Sequence, residues 1–135
     1  MNERKTTTVI GRYGEDVAAD YLVKNGYTIV TRNYRYDHRE IDIIARIENK
    51  LVFVEVKART DNARNIQRYG RPSNAVTKHK QKLISEAAFF YMRSNNLIMA
   101  ARIDVIEVYF YPAPEGQLPA VKRVHHIPNA FYAIR

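Results

Sequence analysis

Residues 40–59, EIDIIARIENKLVFVEVKAR, put charged side chains where a chain of this composition can least accommodate them. Two apolar runs, residues 40–47 and 50–58, are separated only by Glu48-Asn49 and read as two strands of a β-hairpin buried on both faces. Asp42, Glu55 and Lys57 interrupt those runs. A buried carboxylate or ammonium is costly unless it is paired or bound to metal. A divalent cation that draws two carboxylates together, with a lysine beside them, accounts for all three and points to phosphate-ester hydrolysis.

Side chains alternate faces along a strand, so Glu55 and Lys57 share a face about 6 to 7 Å apart along the backbone. Asp42 stands across from Glu55 if the hairpin register brings them level, which the short turn permits. Two converging carboxylates repel unless a cation neutralises them. Mg²⁺, or Mn²⁺, suits such a site because it prefers oxygen ligands and completes its shell with water and phosphate. Lys57 can then orient the attacking water or stabilise charge on the phosphoryl oxygens. The competing reading is a buried ion network without catalysis, which is rarely favoured over apolar packing.

The composition narrows the chemistry further. At 135 residues and 46% hydrophobic content, the chain fits a single domain, 1–135, with a real core. It has no cysteine and its four histidines show no HxxxH spacing, so any metal site is built mainly from oxygen ligands. No apolar run spans a membrane, and the N-terminal MNERKTTTVIGR lacks the apolar centre of a secretion signal, so a soluble cytoplasmic protein is expected. The net charge is +8, and Arg59, Arg64, Arg68, Arg71, Lys78, Lys80 and Lys82 face only Asp61 between residues 59 and 82. Seven cations less one acid is +6 in that segment, which suits a polyanion such as nucleic acid, although a solvated loop and helix face read the same way.

Periodicity predicts a first helix over residues 12–25, ended by Asn25-Gly26, and three antiparallel strands over 27–35, 40–47 and 50–58. Residues 59–73 read as a mobile loop. A second helix runs to about Ser94, capped by Ser73 or Asn74, and is followed by strands over 101–111 and 121–127. The expected fold is therefore α/β, a mixed sheet of about five strands flanked by helices. Glu40 reads as a strand-end residue paired to an arginine, with a ligand that replaces or joins Asp42 as the alternative, Arg102 and Asp104 as an intrasheet pair, and His125 and His126 as part of an edge strand. Tyr34 and Tyr36 alternate with Arg32, Arg35 and Arg39, and Tyr69 lies in the basic loop, a mixture able to hold phosphates and stack on bases.

GRYGEDVAADYLVKNGY, EIDIIA, FVEVKAR, the AVTKHKQK helix and RIDVIEV together resemble the YraN-like family of bacterial proteins. That family is similar to Holliday-junction resolvases of the PD-(D/E)XK nucleases, and the resemblance covers residues 11 to about 109. It implies a restriction-endonuclease-like fold, with Asp42, Glu55 and the Val56 carbonyl as metal ligands and Lys57 as the catalytic lysine. Glu15 reaches the metal directly or through water, unless it serves only to stabilise the start of its helix. Lys80 or Gln81 contacts the scissile strand. Ile41 replaces the proline of the signature, and Arg39 stands where relatives often have glycine. The implied activity is a metal-dependent endonuclease acting on DNA, with branched structures among the candidate substrates and a homodimer favoured for a resolvase because it supplies two active sites; RNA stays a further candidate, since phosphate contacts do not say which sugar follows. The alternative is a non-catalytic nucleic-acid-binding module that works through a partner.

Overall fold

The computed structural model describes residues 2–60 and 76–133, the first seven of them by backbone alone. The elements run α1 (Asn2–Lys24), β1 (Thr28–Tyr36), β2 (Arg39–Ile47), β3 (Lys50–Thr60), α2 (Lys78–Ser94), β4 (Ala100–Phe110) and β5 (Val121–Ile127). The strands form one sheet in the order β1-β2-β3-β4-β5. Neighbours are antiparallel except β3 and β4, which are parallel and joined through α2. The expected mixed α/β sheet flanked by helices is what the chain forms.

Local chemistry sets the boundaries. α1 stops where Gly26 takes a φ of 91° and the Tyr27 amide bonds back to the Leu22 carbonyl at 2.9 Å, a left-handed helix stop that glycine adopts freely. α2 ends the same way, with Asn96 at φ 52° and the Leu97 amide on the Met92 carbonyl. Its start differs from expectation. The capping side chain is Thr77, whose hydroxyl accepts the Lys80 amide at 3.1 Å, and the proposed caps Ser73 and Asn74 lie outside the described residues. The expected loop over 59–73 also begins too early, because Arg59 and Thr60 continue β3 and pair with Tyr109 and Phe110. The remainder of that loop lies outside the described residues, as do Arg64, Arg68, Tyr69 and Arg71.

Two cores sandwich the sheet. On one face Ala18 and Leu22 of α1 pack on Ile43, Ala45, Val52, Val54, Ile106 and Val108. On the other, Ile84, Ala87 and Ala88 of α2 pack on Ile44, Leu51, Phe53, Ile103 and Val105. Alternate residues of β3 therefore face opposite helices, and each large apolar side chain buried this way contributes about 1.5 to 3 kcal/mol. Tyr34 and Tyr36 join the α2 side, Tyr34 edge-on to Tyr91 and Tyr36 stacked on Phe90 at 3.8 Å. Arg32 reaches Asp16 at 2.8 Å and Arg39 reaches Glu86 at 2.7 Å, so much of the tyrosine-arginine mixture serves packing between sheet and helices.

A polar clamp ties down the far side of the sheet. Asp104, fully buried, accepts from Arg102, from His126 Nε2 at 2.7 Å and from the Asn129 amide at 2.9 Å. Arg102 also meets the Tyr27 hydroxyl at 2.6 Å, and the Tyr21 hydroxyl shares a hydrogen bond with His126 Nδ1 at 3.1 Å. The Arg102–Asp104 pair expected within the strand is thus one part of a network joining α1, β1's entry, β4 and β5. Burial pushes the Asp104 carboxyl up, but the hydrogen bonds from His126, Arg102 and Asn129 outweigh it and hold the group below its ordinary 3.8. Its contribution is complete above pH 3.8 and is lost as pH falls below that value. We expect Asp104→Ala to cost about 3 to 5 kcal/mol in urea unfolding, because it leaves Arg102 and His126 without their shared partner. A loss under about 1 kcal/mol would show that the clamp is dispensable.

Candidate functional site

Where β2 and β3 meet, the ladder runs from Ile47 opposite Lys50 to Ile43 opposite Val54 and then stops. Both strands continue: β2 remains paired to β1 as far as Arg39, and β3 to β4 as far as Thr60. The sheet forks at this rung, and Asp42 and Glu55 are the first residue on each prong. Their register is level, as the short Glu48-Asn49 turn allowed. Glu48 absorbs the tightness of that turn with a φ of 51°.

The fork leaves the Val56 amide without a partner strand on its β2 side, and Asp42 Oδ2 takes it at 2.8 Å. Within a strand the amide and carbonyl of one residue point to the same edge, so the Val56 carbonyl also opens into the fork. Burial and then the nearby Glu55 charge push the Asp42 carboxyl well above its ordinary 3.8, and Glu15 adds to the effect against the opposing Val56 hydrogen bond. Glu55 is 5% exposed. Two cations attend it: Lys57 Nζ at 3.6 Å from its own strand, and Lys80 Nζ at 3.9 Å from the first turn of α2. Lys57 also stands beside Glu107 of β4, whose carboxylate receives Tyr109 and Arg59.

α1 approaches the same fork from the opposite face of the sheet. Its Gly14 packs so closely on β3 that an added Cβ would lie 3.0 Å from the Ala58 Cβ. That closeness carries the next residue, Glu15, to the fork, where burial raises its carboxyl despite a hydrogen bond from Asn33 Nδ2 at 2.8 Å and the charge of Arg32. Asp42, Glu55, Lys57 and Lys80 thus meet at the fork with the Val56 backbone, and Glu15 is near enough for its charge to act on Asp42, although among the described residues no three acids stand close enough together to hold a metal ion by themselves. The set is rich in hard oxygen donors with no sulfur or imidazole, which fits Mg²⁺ or Mn²⁺. Glu40 turns instead to Arg35 at 3.3 Å. Arg59 lies farther along β3 on Glu107, Lys78 is exposed at the start of α2, and Gln81 donates its side-chain amide to the Val76 carbonyl. Asn33 is the site residue that the sequence reading did not single out. Its only sequence signal is an asparagine within a strand-forming run, where a residue tolerant of left-handed backbone stands out.

The profile of the Uncharacterised protein family UPF0102 matches residues 14–108, from the close-packed glycine of α1 to Val108 of β4. The chain belongs to the UPF0102 family. A UPF0102 protein of Chlorobium chlorochromatii is 41% identical over 132 residues, covering 98% of each chain. One from Caldanaerobacter subterraneus subsp. tengcongensis is 42% identical over 123 residues, 90% of this chain and 93% of the relative. Another, from Desulfosudis oleivorans, reaches 48% over 109 residues, 80% of this chain and 82% of the relative. The family match thus contains every member of the forked site, Glu15 to Lys80.

Two outcomes follow for this UPF0102 chain. Without metal, the raised Asp42 carboxyl makes its ionisation oppose folding, so stability is lost as pH rises from 3.8 toward its folded value. Asp42→Asn keeps an acceptor for the Val56 amide and removes the charge. At neutral pH in chelator it should therefore be more stable than wild type by about 1 kcal/mol in thermal unfolding, a difference that vanishes below pH 3.8. A destabilised Asp42→Asn would contradict the repulsion. Gly14→Ala should cost about 1 to 3 kcal/mol through overpacking, and adding Ala58→Gly should return part of it. Additive losses in the pair would mean that the helix-strand contact is not the cause.

Proposed function

We propose that the protein is a Mg²⁺- or Mn²⁺-dependent endonuclease-like phosphodiesterase acting on DNA. The observation that carries this reading is the fork, where Asp42 and Glu55 stand level on parted strands with Lys57 beside Glu55. A structural ion network needs matched charges, whereas here Asp42 is held against two other carboxylates, Glu55 and Glu15, and the group that opposes their effect is the Val56 backbone amide. Such a surplus of acid at a strand fork is what a divalent cation compensates.

Asp42, Glu55 and the Val56 carbonyl are the groups that would hold the ion, with Glu15 joining directly or through water. When bound, the ion supplies positive charge at the phosphoryl oxygens and lowers the pKa of a coordinated water. The protein's own part is positional. Asp42 is fixed by the Val56 amide. Glu55 keeps Lys57 at 3.6 Å, so the ammonium is held over the site to orient the attacking water or to donate to a phosphoryl oxygen as charge builds there. Lys80, 3.9 Å from Glu55, brings a second positive charge to the fork from the first turn of α2. Lys78 and Arg59 extend that positive character along the helix and along β3, which suits a sugar-phosphate backbone read by charge.

Labelled duplex, flap and four-way-junction DNA, with matched RNA, incubated with the purified chain and Mg²⁺ or Mn²⁺, tests the reading. We expect nicking of at least one DNA substrate, abolished by chelator and reduced about 100-fold or more by Glu55→Ala and by Lys57→Ala. Lys57→Ala should leave DNA affinity within about twofold, while Lys80→Ala weakens it and flattens its dependence on salt. Cleavage that survives Glu55→Ala sinks the proposal. Salt-dependent binding with no cleavage in either ion would instead make the chain a binding module on a nuclease scaffold.

A further inference from the structure

A left-handed residue lies in the middle of β1. Asn33 has a φ of 54°, and it occupies the rung between Arg32, paired with Ile43, and Tyr34, paired with Ile41. The rung that remains faces Asp42. Across it the side-chain alternation slips by one on both strands. Ile43 packs in the α1-side core, whereas Ile41 and Tyr34 pack in the α2-side core. Regular strands would keep residues two apart on one face. As a result Arg32 and Asn33, though adjacent, both reach α1: Arg32 bonds Asp16 at 2.8 Å and Asn33 Nδ2 donates to Glu15 Oε1 at 2.8 Å.

Glu15 needs that donor. Its surroundings include Asp16, Glu40 and Asp42, all acids that oppose its charge. The nearest cation, Arg32, is 3.8 Å from Oε1 and is already engaged with Asp16. Asn33 is neutral, so it can fix the carboxylate without cancelling the charge a metal would use. Both of these contacts fall on Oε1. A left-handed non-glycine residue in a strand carries a backbone cost that persists only where the surroundings compensate it, and asparagine is among the residues that bear it best.

We infer that Asn33 is the positioning residue of this site: through its left-handed backbone and its amide it aims Glu15 at the fork shared by Asp42 and Glu55. The inference rests on the metal-dependent reading proposed above and names the residue that makes Glu15 a competent member of it.

The experiment is a double-mutant cycle read by Mn²⁺ affinity in calorimetry and by DNA cleavage, using the full chain. Asn33→Gly keeps the left-handed backbone and deletes only the amide; Glu15→Gln removes the charge it positions. Asn33→Gly should retain the wild-type Tm within a few degrees, yet bind Mn²⁺ and cleave DNA about 10- to 100-fold more weakly. In the Glu15→Gln background it should cause no further loss. Asn33→Ala should lose the same Mn²⁺ affinity as Asn33→Gly while melting at a lower temperature, since alanine is strained at this φ. Unchanged affinity in Asn33→Gly, or losses that add across the cycle, would overturn the inference while leaving the active-site reading intact. A wild-type chain that takes up no Mn²⁺ and cuts no DNA would overturn both.

Discussion

The bond from the Val56 amide to Asp42 Oδ2 is the interaction on which the arrangement of the site depends. A strand that leaves its neighbour exposes a row of amides and carbonyls, and each buried one must find another partner. At this fork the first such amide is satisfied by a carboxylate instead of a backbone carbonyl. That substitution lets β2 and β3 part without a penalty of orphaned backbone. It also fixes Asp42 beside Glu55, two acids that would otherwise move apart. The opening in the sheet and the gathering of charge therefore have one cause.

The two helices act on the fork from opposite faces of the sheet. α2 covers the Phe53 and Val105 side and brings Lys80 to Glu55; α1 covers the Val52 and Val54 side and brings Glu15 past Gly14. Neither helix alone reaches all the acids, because alternate residues of β3 look in opposite directions. Only at a break in the ladder can groups from both faces meet. The Asp104 clamp lies on the α1 side of β4 and fixes the chain after β5, so its many hydrogen bonds hold the scaffold and are separate from the carboxylates at the fork.

Much of this was legible in the sequence, for identifiable reasons. Asp42, Glu55 and Lys57 stood out because charge inside apolar strand runs is rare, and the hairpin turn at Glu48-Asn49 put the acids level. The strand boundaries followed from β-branched runs and came within a residue or two. Helix caps were less legible: Ser73, Asn74 and Thr77 are equally able acceptors by residue type, and the cap of α2 is Thr77. Tyr34, Tyr36 and Arg39 suggested a nucleic-acid surface, yet they pack on Phe90, Tyr91 and Glu86, contacts from a helix about 50 residues later that local pattern cannot report. Asn33 was hard to single out for a related reason. Its role depends on a backbone dihedral and on a partner in α1, and an asparagine within a strand-forming run hints at the first but not at the second.

The parallel pairing of β3 with β4 has a kinetic side. Lys50 aligns with Ala100 and Thr60 with Phe110, so every rung of that ladder closes a loop of 50 residues. By contrast Asp42 and Val56 are 14 positions apart. Loop closure grows costlier with length, and local meanders assemble before long crossovers. The order of assembly that follows is acids first, with β1 to β3 as the nucleus, and the β4–β5 layer docking afterwards as a brace. Damage to the brace then speeds the protein's opening more than it delays its birth.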